Sequence, residues 1–451
     1  MSRPDDTIAA LATPAGTAAL AILRITGSDT KAVVAAVAGV VPPARQARHL
    51  DYRGKDGALL DDVLLTFFEG PHSYTGEDAA EISCHGNPFI AQKILEDLLS
   101  RGCRPAGPGE FTQRAFFNGR IDLSQAEAVM DVIHARSERA LAAAHQQLRG
   151  GLGRKMNPLV DDLLAALARI EVYIDFPDED LPAEDTTLVL DQISHIALSI
   201  NELLATSHYG SILRDGIRTV ILGAPNAGKS SLLNRLVGSD RALVSAEPGT
   251  TRDFIEERLL VGPHLVRLVD TAGLNPSPAP LEKLGIDKTL ERAAEADLFL
   301  LVVDASLPSP PVLMPELRSK FRPESALVVL NKSDLVGERT RRPALPDISQ
   351  VWVSALTGVG IEELRSAIVG MADAFARDPT DLVTINGRHA HALGQARELL
   401  SAAEAKLTRE EPVELVASDL RGVLEALGQI TGRIDGERML DQLFATFCIG
   451  K

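Results

Sequence analysis

The sequence predicts a multidomain protein with an α+β N-terminal domain, a discontinuous helical domain, and an α/β domain carrying a phosphate-binding loop inserted between the helical pieces. Three features carry that expectation. The glycine-rich loop Gly223-Ala224-Pro225-Asn226-Ala227-Gly228-Lys229-Ser230 falls between a β-type run at 218–222 and a helical run at 231–236. Near-continuous apolar runs at 298–303 and 326–330 read as strands buried on both faces of a mostly parallel sheet. Helical periodicity flanks this block, from Asp122 onward and again beyond about residue 375.

The N-terminal stretch shows β-like pieces at 18–25 and 63–68, broken by Pro/Gly turns, with a helix-like run at 90–99. From Asp122 the pattern turns helical and runs to about Gln147, opened by the capping box Ser124-Gln125-Ala126-Glu127. Further helices are expected at 159–173, 188–205, 391–405, 415–429 and 437–447. Helices on both sides of a sheet module indicate one domain interrupted by another, an arrangement tolerated when the ends of the insert lie close together. The boundaries expected are 1–118, 119–215, 216–375 and 376–451.

A chain of 451 residues, 45% hydrophobic, suffices for two or three ordinary cores. Lys+Arg 46 against Asp+Glu 62 gives a net charge of −16, which excludes a broadly basic nucleic-acid surface and requires any such contact to be local or supplied by a partner. Cys84, Cys103 and Cys448 lack zinc-site spacing and fit a reducing cytoplasm. No leader opens the chain and no apolar run is long enough to span a bilayer, so a cytoplasmic protein without a membrane contact is expected.

The inserted block carries the chemistry. Backbone N–H groups from Ala227 to Ser231 and the following helix N-terminus can surround phosphate oxygens. Lys229 is placed to reach the β and γ phosphates, and Ser230 to offer a hydroxyl to Mg²⁺. Asp270 ends the apolar run 265–269, where its carboxylate can act on Mg²⁺ through a water, and Gly273 closes the motif Asp270-Thr271-Ala272-Gly273. In Asn331-Lys332-Ser333-Asp334 the Asp334 carboxylate can accept from the paired N–H donors of guanine, which adenine lacks. Ser354-Ala355 can bring a backbone N–H to the guanine carbonyl oxygen.

Gly249-Thr250-Thr251-Arg252-Asp253 lies where a nucleotide-sensing switch belongs, with Thr251, or alternatively Thr250, giving a second hydroxyl to Mg²⁺. Leu274 stands where Ras-like hydrolases carry the glutamine that orients water, and an aliphatic side chain cannot do so. Glu282 is the first acid in the following segment and can act on water directly or through a second one. No arginine lies between Asp270 and Glu282, so phosphate charge must be offset from elsewhere. Asn226 can ligate a potassium ion with backbone carbonyls preceding Thr250, Ser245 joining the metal set, or it serves only as a loop-capping asparagine. Together these motifs imply a guanine-nucleotide hydrolase.

Two further stretches, Ser73-Tyr74-Thr75-Gly76-Glu77-Asp78 and Pro108-Gly109-Glu110-Phe111-Thr112-Gln113-Arg114-Ala115-Phe116, and the terminal Cys448-Ile449-Gly450-Lys451, extend the pattern over nearly the whole chain. With them the sequence resembles the tRNA uridine 5-carboxymethylaminomethyl modification GTPases, the MnmE/TrmE family. The resemblance implies a homodimer joined by folate-binding N-terminal domains, each holding a tetrahydrofolate derivative, with Mg²⁺ and K⁺ at the GTP site. It also implies an FAD-dependent partner protein with which an aminomethyl or carboxymethylaminomethyl group is installed at C5 of the tRNA wobble uridine. In that family the asparagine matching Asn226 ligates potassium and the glutamate matching Glu282 positions or activates water. Arg24, Glu81 and Arg120 match positions near the folate or its domain interface, and Lys451 matches the family's C-terminal lysine. On residues alone these charges read as solvated or surface-paired.

The chain departs from the family pattern at Ala15-Gly16-Thr17-Ala18-Ala19-Leu20-Ala21, where an arginine and several glycines are replaced, at Asn275, where an arginine is common, and at Asn87, a usual glycine. His85 reads as a satisfied core or turn histidine, against a pterin-site role. Cys448 reads as a buried small hydrophobe in an apolar stretch rather than a nucleophile, on a tail that the resemblance points toward the folate. A regulatory GTPase switch in ribonucleoprotein assembly is the alternative function.

Overall fold

The computed structural model describes residues 6–175, 183–238, 256–270, 295–307, 321–337, 345, 347–375, 383–432, 443–444 and 447–450. Alternating apolar residues build the N-terminal sheet from β1 (Ile8–Leu11), β2 (Leu20–Thr26), β3 (Ala47–Arg53), β4 (Leu59–Phe68), β5 (Ala79–His85) and β6 (Arg104–Pro105). Its order is β3-β4-β5-β2-β1-β6, antiparallel except for the β1–β6 pair. Period-two alternation turns Leu23, Ile25, Val63, Leu65 and Phe67 to one face, where α1 (Thr30–Ala38) and α2 (Pro88–Ser100) add Val33, Val34, Ile94 and Leu98. Asn87 caps α2, its side chain accepting from the Phe89 N–H at 2.9 Å, with Pro88 at the first helical position. The substitution of glycine by Asn87 thus has a local use.

After α3 (Glu110–Phe117) the chain becomes helical through α4 (Leu123–His134), α5 (Glu138–Leu148), α6 (Gly151–Asp175), α7 (Ala183–Leu204) and α8 (Ser207–Asp215). The helix expected from Asp122 to Gln147 is two, because Ser137 breaks it and caps α5 by accepting from the Ala140 N–H at 3.2 Å. The cap of α4 is also corrected: Asp122 and Gln125 form the reciprocal box, not Ser124 and Glu127. Helix α6 begins well before Leu159 and continues through Pro158. Burial of Leu152 and Met156 in the helical core stabilises that extra length against the hydrogen bond that Pro158 cannot donate.

The inserted sheet comprises β7 (Ile217–Leu222), β8 (Glu256–Val261), β9 (His264–Asp270), β10 (Leu298–Asp304), β11 (Ala326–Asn331) and β12 (Gln350–Trp352), ordered β12-β11-β10-β7-β9-β8. It is parallel except for the β8–β9 hairpin. Odd and even residues of β10 enter separate cores on opposite faces, Leu300 and Val302 in one, Phe299, Leu301 and Val303 in the other, as the continuous apolar run requires. Helices α9 (Lys229–Gly238) and α10 (Ile361–Ala374) supply Leu232, Leu236, Leu364 and Ile368 to the first of these cores.

Beyond the sheet come α11 (Gly387–Thr408) and α12 (Val413–Thr431). One core joins Leu163 and Ile170 of α6, Ile193 and Ile200 of α7, Leu393 and Leu400 of α11, and Leu420 and Leu427 of α12. Helices from both sides of the insert therefore bury one another. Most of the expected helix at 437–447 lies outside the described residues. Tyr209, Ile212 and Leu213 of α8 and Ala143 of α5 join the core beneath the inserted sheet. At the same boundary the Asp373 carboxylate accepts from Arg139 Nη2 at 3.1 Å and lies 2.9 Å from Nε2 of the buried His264. No helix among the described residues is long and apolar enough to cross a membrane.

Candidate nucleotide-binding site

The C-terminal ends of β7, β9, β10 and β11 share one edge: Ile221 is in register with Asp270, Leu301 with Leu222, and Asp304 with Asn331. Strand order reverses beside β7, the position at which open α/β sheets bind ligands. The loop from Gly223 to Gly228 emerges there and feeds α9, whose first-turn N–H groups point toward the loop at the positive end of the helix dipole. Gly228 is held at φ +92°, and a Cβ on it would lie 2.2 Å from Asn331 Nδ2, so only glycine fits. Asn226 has φ +63°, a left-handed conformation asparagine tolerates, and is exposed.

Lys229 is 8% exposed. Its ammonium donates to the carbonyls of Gly223 at 2.9 Å and Ala224 at 3.0 Å, spanning the loop from within. A phosphate placed in the loop would offer the same donors stronger, anionic acceptors. Ser230 and Ser231 are exposed on the first turn of α9. Asp270 ends β9 as expected. Among the described residues no group of three or more His, Cys, Asp or Glu is gathered to hold a metal, whereas magnesium bound with nucleotide takes few protein ligands and several phosphate and water oxygens.

Asn331 is 2% exposed and both ends of its amide are engaged: Nδ2 donates to Ala227 O at 2.9 Å, and Oδ1 accepts from the Ala355 N–H at 3.0 Å. It ties the phosphate loop to the loop after β12. Asp334 is exposed on a short 3₁₀ turn, while Lys332, at φ +62°, donates to Asp304 Oδ2 at 2.6 Å. Ser354 is fully buried and its N–H donates to Val359 O at 2.8 Å. With the Ala355 N–H on Asn331, both N–H groups proposed for guanine already have acceptors, so a guanine carbonyl would have to share the Ala355 donor.

In the N-terminal domain the stretches 73–78 and 108–116 come together. Tyr74 Oη lies 2.9 Å from Thr112 Oγ1, and Arg114 Nη1 is 3.2 Å from Glu77 Oε2. Thr75 Oγ1 lies 2.7 Å from Thr26 Oγ1. The tail returns to this place, with Gly109 N–H donating to Cys448 O at 3.2 Å and a bridge between Pro108 and Ile449. Gly109 is at φ +63°, and a Cβ there would lie 2.8 Å from Phe447 Cβ.

Sequence profiles of two regions match the chain: "MnmE helical domain" over residues 123–448 and "GTP-binding protein TrmE N-terminus" over residues 7–120. The tRNA modification GTPase MnmE of Opitutus terrae is 58% identical over 449 residues, covering 99% of each chain. Those of Akkermansia muciniphila and Geotalea uraniireducens are 44% identical over 458 residues (100% of each chain) and 41% over 460 residues (99% of each chain). The chain belongs to the MnmE family.

Of the residues that the MnmE resemblance places near a folate, the structure pairs Arg24 with Glu81, Nη2 to Oε1 at 2.7 Å and Nε to Oε1 at 3.0 Å. The Arg24 guanidinium stands 5.8 Å from the ring centroids of both Tyr74 and Phe111, and its Nη1 donates to Gly450 O at 3.3 Å. Arg120 is outside this pair, exposed and with its stem against Gly76. The altered loop at 15–21 is tied to Gly86, Ala18 N–H donating to Gly86 O at 2.9 Å and Gly86 N–H to Ala19 O at 3.2 Å. His85 is not a core residue. It is exposed at the end of β5, with Nδ1 2.8 Å from Asp61 Oδ1 and its N–H donating to Asp61 Oδ2. Cys448 is exposed too, although the neighbouring Phe447 is buried with Phe444, Leu123 and Ala126.

Glu282, Ser245, Thr250, Thr251, Gly273, Leu274, Asn275 and Lys451 lie outside the described residues. Two residues of the nucleotide edge escaped sequence reasoning. Asp304 ends β10 after an apolar run, just as Asp270 ends β9, and that parallel was the available signal. Burial opposes its charge, but Lys332 and Ser306 hold its carboxyl below the usual carboxylate range. Arg235, whose Nε donates to Ala355 O at 3.0 Å, gave no local signal.

Proposed function

We propose that this chain binds GTP with Mg²⁺ and K⁺ at the edge formed by β7, β9, β10 and β11, and that its hydrolysis serves C5 modification of the tRNA wobble uridine together with an FAD-dependent partner. Family membership makes the chain a GTPase of tRNA wobble-uridine modification. The arrangement that supports the site is Lys229, buried inside its own loop, with Asn331 linking that loop to the one after β12.

In this reading N–H groups from Ala227 to Ser231 and Lys229 hold the phosphates, and Ser230, Asp270 and Thr251 hold Mg²⁺. Asp334 reads the guanine edge, with Lys332, Ser354 and Ala355 framing it. Asn226 and Ser245 assist a potassium ion, Thr250 and Gly273 complete the switches, and Glu282 positions water. Residues 1–118 form the folate and dimer domain, 119–215 and 376–451 the helical domain, and 216–375 the hydrolase.

The Arg24–Glu81 pair, set against aromatic rings, has the groups a pterin needs: a carboxylate to accept from its paired N–H donors and a guanidinium to donate to its carbonyl. A bound tetrahydrofolate derivative would supply the one-carbon unit. Arg120 and Lys451 complete that domain's charged set.

The deciding experiment is GTP turnover in potassium and in sodium at matched ionic strength, for the unaltered chain and the N226A and E282A variants. Potassium stimulation that N226A abolishes, with GTP bound but not turned over in E282A, is the expected result. Equal rates in both salts would overturn the potassium-assisted mechanism.

A further inference from the structure

The peptide of Ala355 is gripped from both sides. Its N–H donates to Asn331 Oδ1 at 3.0 Å, and its carbonyl accepts from Arg235 Nε at 3.0 Å. Arg235 Nη2 also donates to the neighbouring carbonyl, that of Leu356. The turn that contains these carbonyls closes on itself, Ser354 N–H donating to Val359 O and Gly358 N–H to Ser354 O, each at 2.8 Å, and Thr357 N–H to Ser354 Oγ at 3.1 Å. Those bonds set the turn's shape. Val353, bonded to Leu330 and Ser333, and the buried Ala355 seat the turn at the end of β12, and Asn331 and Arg235 add its side-chain links to the phosphate-binding half of the site.

Arg235 belongs to α9, the helix that begins at Lys229. A closed circuit results: Ala227 in the phosphate loop, Asn331, Ala355, Arg235, and back along α9. The planar guanidinium suits two adjacent carbonyls, and its charge strengthens both bonds. Leu356 is 79% exposed, so apolar packing of that side chain does not hold the turn.

We propose that Arg235 is a positioning residue for nucleotide retention: it fixes the Ala355–Leu356 carbonyls to α9, so that base and phosphates are held by one rigid unit, and so governs how slowly guanine nucleotide leaves. The proposal rests on the GTPase reading above. Without the guanidinium, the Ala355–Leu356 carbonyls lose their direct link to α9, and a base contact that shares the Ala355 N–H rests on a less constrained peptide. Interactions that lock a bound state act mostly on the release rate.

The test is stopped-flow release of fluorescently labelled GDP from the full chain, unaltered and as R235A and R235K, with binding stoichiometry reporting the folded fraction. R235A is expected to release GDP about tenfold faster, and R235K to recover part of the loss, because an ammonium can donate to one or both carbonyls without the fork. The preference for GDP over ADP should fall in R235A. A purely structural role would lower the stoichiometry and leave the release rate of the remaining sites unchanged, and that result would overturn the proposal. If R235A binds no GDP, R235K decides: faster release supports the clamp and unaltered release refutes it. An unaltered chain that binds no labelled GDP would overturn the GTPase reading itself.

Discussion

Glu127 on α4 and Arg388 on α11 are 261 positions apart in sequence, yet the Arg388 guanidinium donates to both oxygens of the Glu127 carboxylate, Nε at 2.8 Å and Nη2 at 3.0 Å. Asn386 Nδ2 donates to the same carboxylate at 3.0 Å, and His389 Nε2 lies 2.9 Å away. The Asn386 N–H points at His389 Nδ1 at 3.4 Å, and His389 Nε2 stands between Glu127 and Arg388 Nη2, the latter at 2.8 Å. These partners stand where the chain re-enters the helical domain, and they fasten its second part to its first.

Burial works against the Glu127 charge, but hydrogen bonds from His389 and Arg388 overcome it and hold the carboxyl at about 2. The folded value lies below the unfolded one, so the stabilisation is present above the ordinary value of 4.5 and is lost as pH falls from there toward 2. Burial depresses His389 below 6.5, outweighing its bond to Glu127, so it contributes a loss that begins as pH falls through 6.5. Thermal melts across acid pH should show both declines. Glu127→Gln should cost about 3 kcal/mol at neutral pH and flatten the lower limb; an unchanged acid profile would refute the assignment.

Lys229→Ala removes the ammonium that spans the phosphate loop. Turnover of GTP should fall roughly a hundredfold or more, measured as phosphate release at saturating nucleotide. A rate near that of the unaltered chain would dislodge Lys229 from the phosphates.

Gly228→Ala would drive a methyl group into the Asn331 amide and strain a backbone at φ +92°. The variant should lose guanine-nucleotide binding in calorimetry, because the linkage from Ala227 through Asn331 cannot form. Retained affinity would mean that the loop relaxes freely.

Asp373→Ala leaves the buried His264 without its acceptor and removes the ion pair with Arg139. A loss of about 2 kcal/mol is expected in urea unfolding, with the largest gain in hydrogen exchange at α5 and the β8–β9 hairpin.

Alkylation should separate the cysteines. Burial pushes the Cys84 and Cys103 thiols up to about 11 each, while Cys448 is exposed. Mass spectrometry after brief iodoacetamide treatment near pH 8 should find the label on Cys448 in the folded chain and on all three after denaturation.

The sequence made legible whatever local pattern specifies. The strand before the phosphate loop, the buried runs of β10 and β11, and the carboxylate at the end of β9 follow from short-range periodicity and motif order. Contacts made by topology were not legible. Nothing near Glu127 announces Arg388, and nothing near Arg24 announces Gly450. Cys448 was misjudged because residue type gives only an average burial, whereas His85 is the satisfied turn histidine expected, bonded to Asp61 at the end of β5. The break at Ser137 was masked by helix formers on both sides, and the passage of α6 through Pro158 reflects tertiary packing overriding local preference.

The placement of Tyr209, Ile212 and Leu213 beneath the inserted sheet bears on protein engineering. Scissors applied at Gly216 would release a catalytic fragment with an uncovered greasy seam along its underside, prone to self-association and slow to recover after dilution from denaturant. A recombinant fragment that retains α8 should be better behaved at high concentration than one trimmed to the first strand, and grafting the module into a foreign host protein would require carrying that short helix along as its own lining.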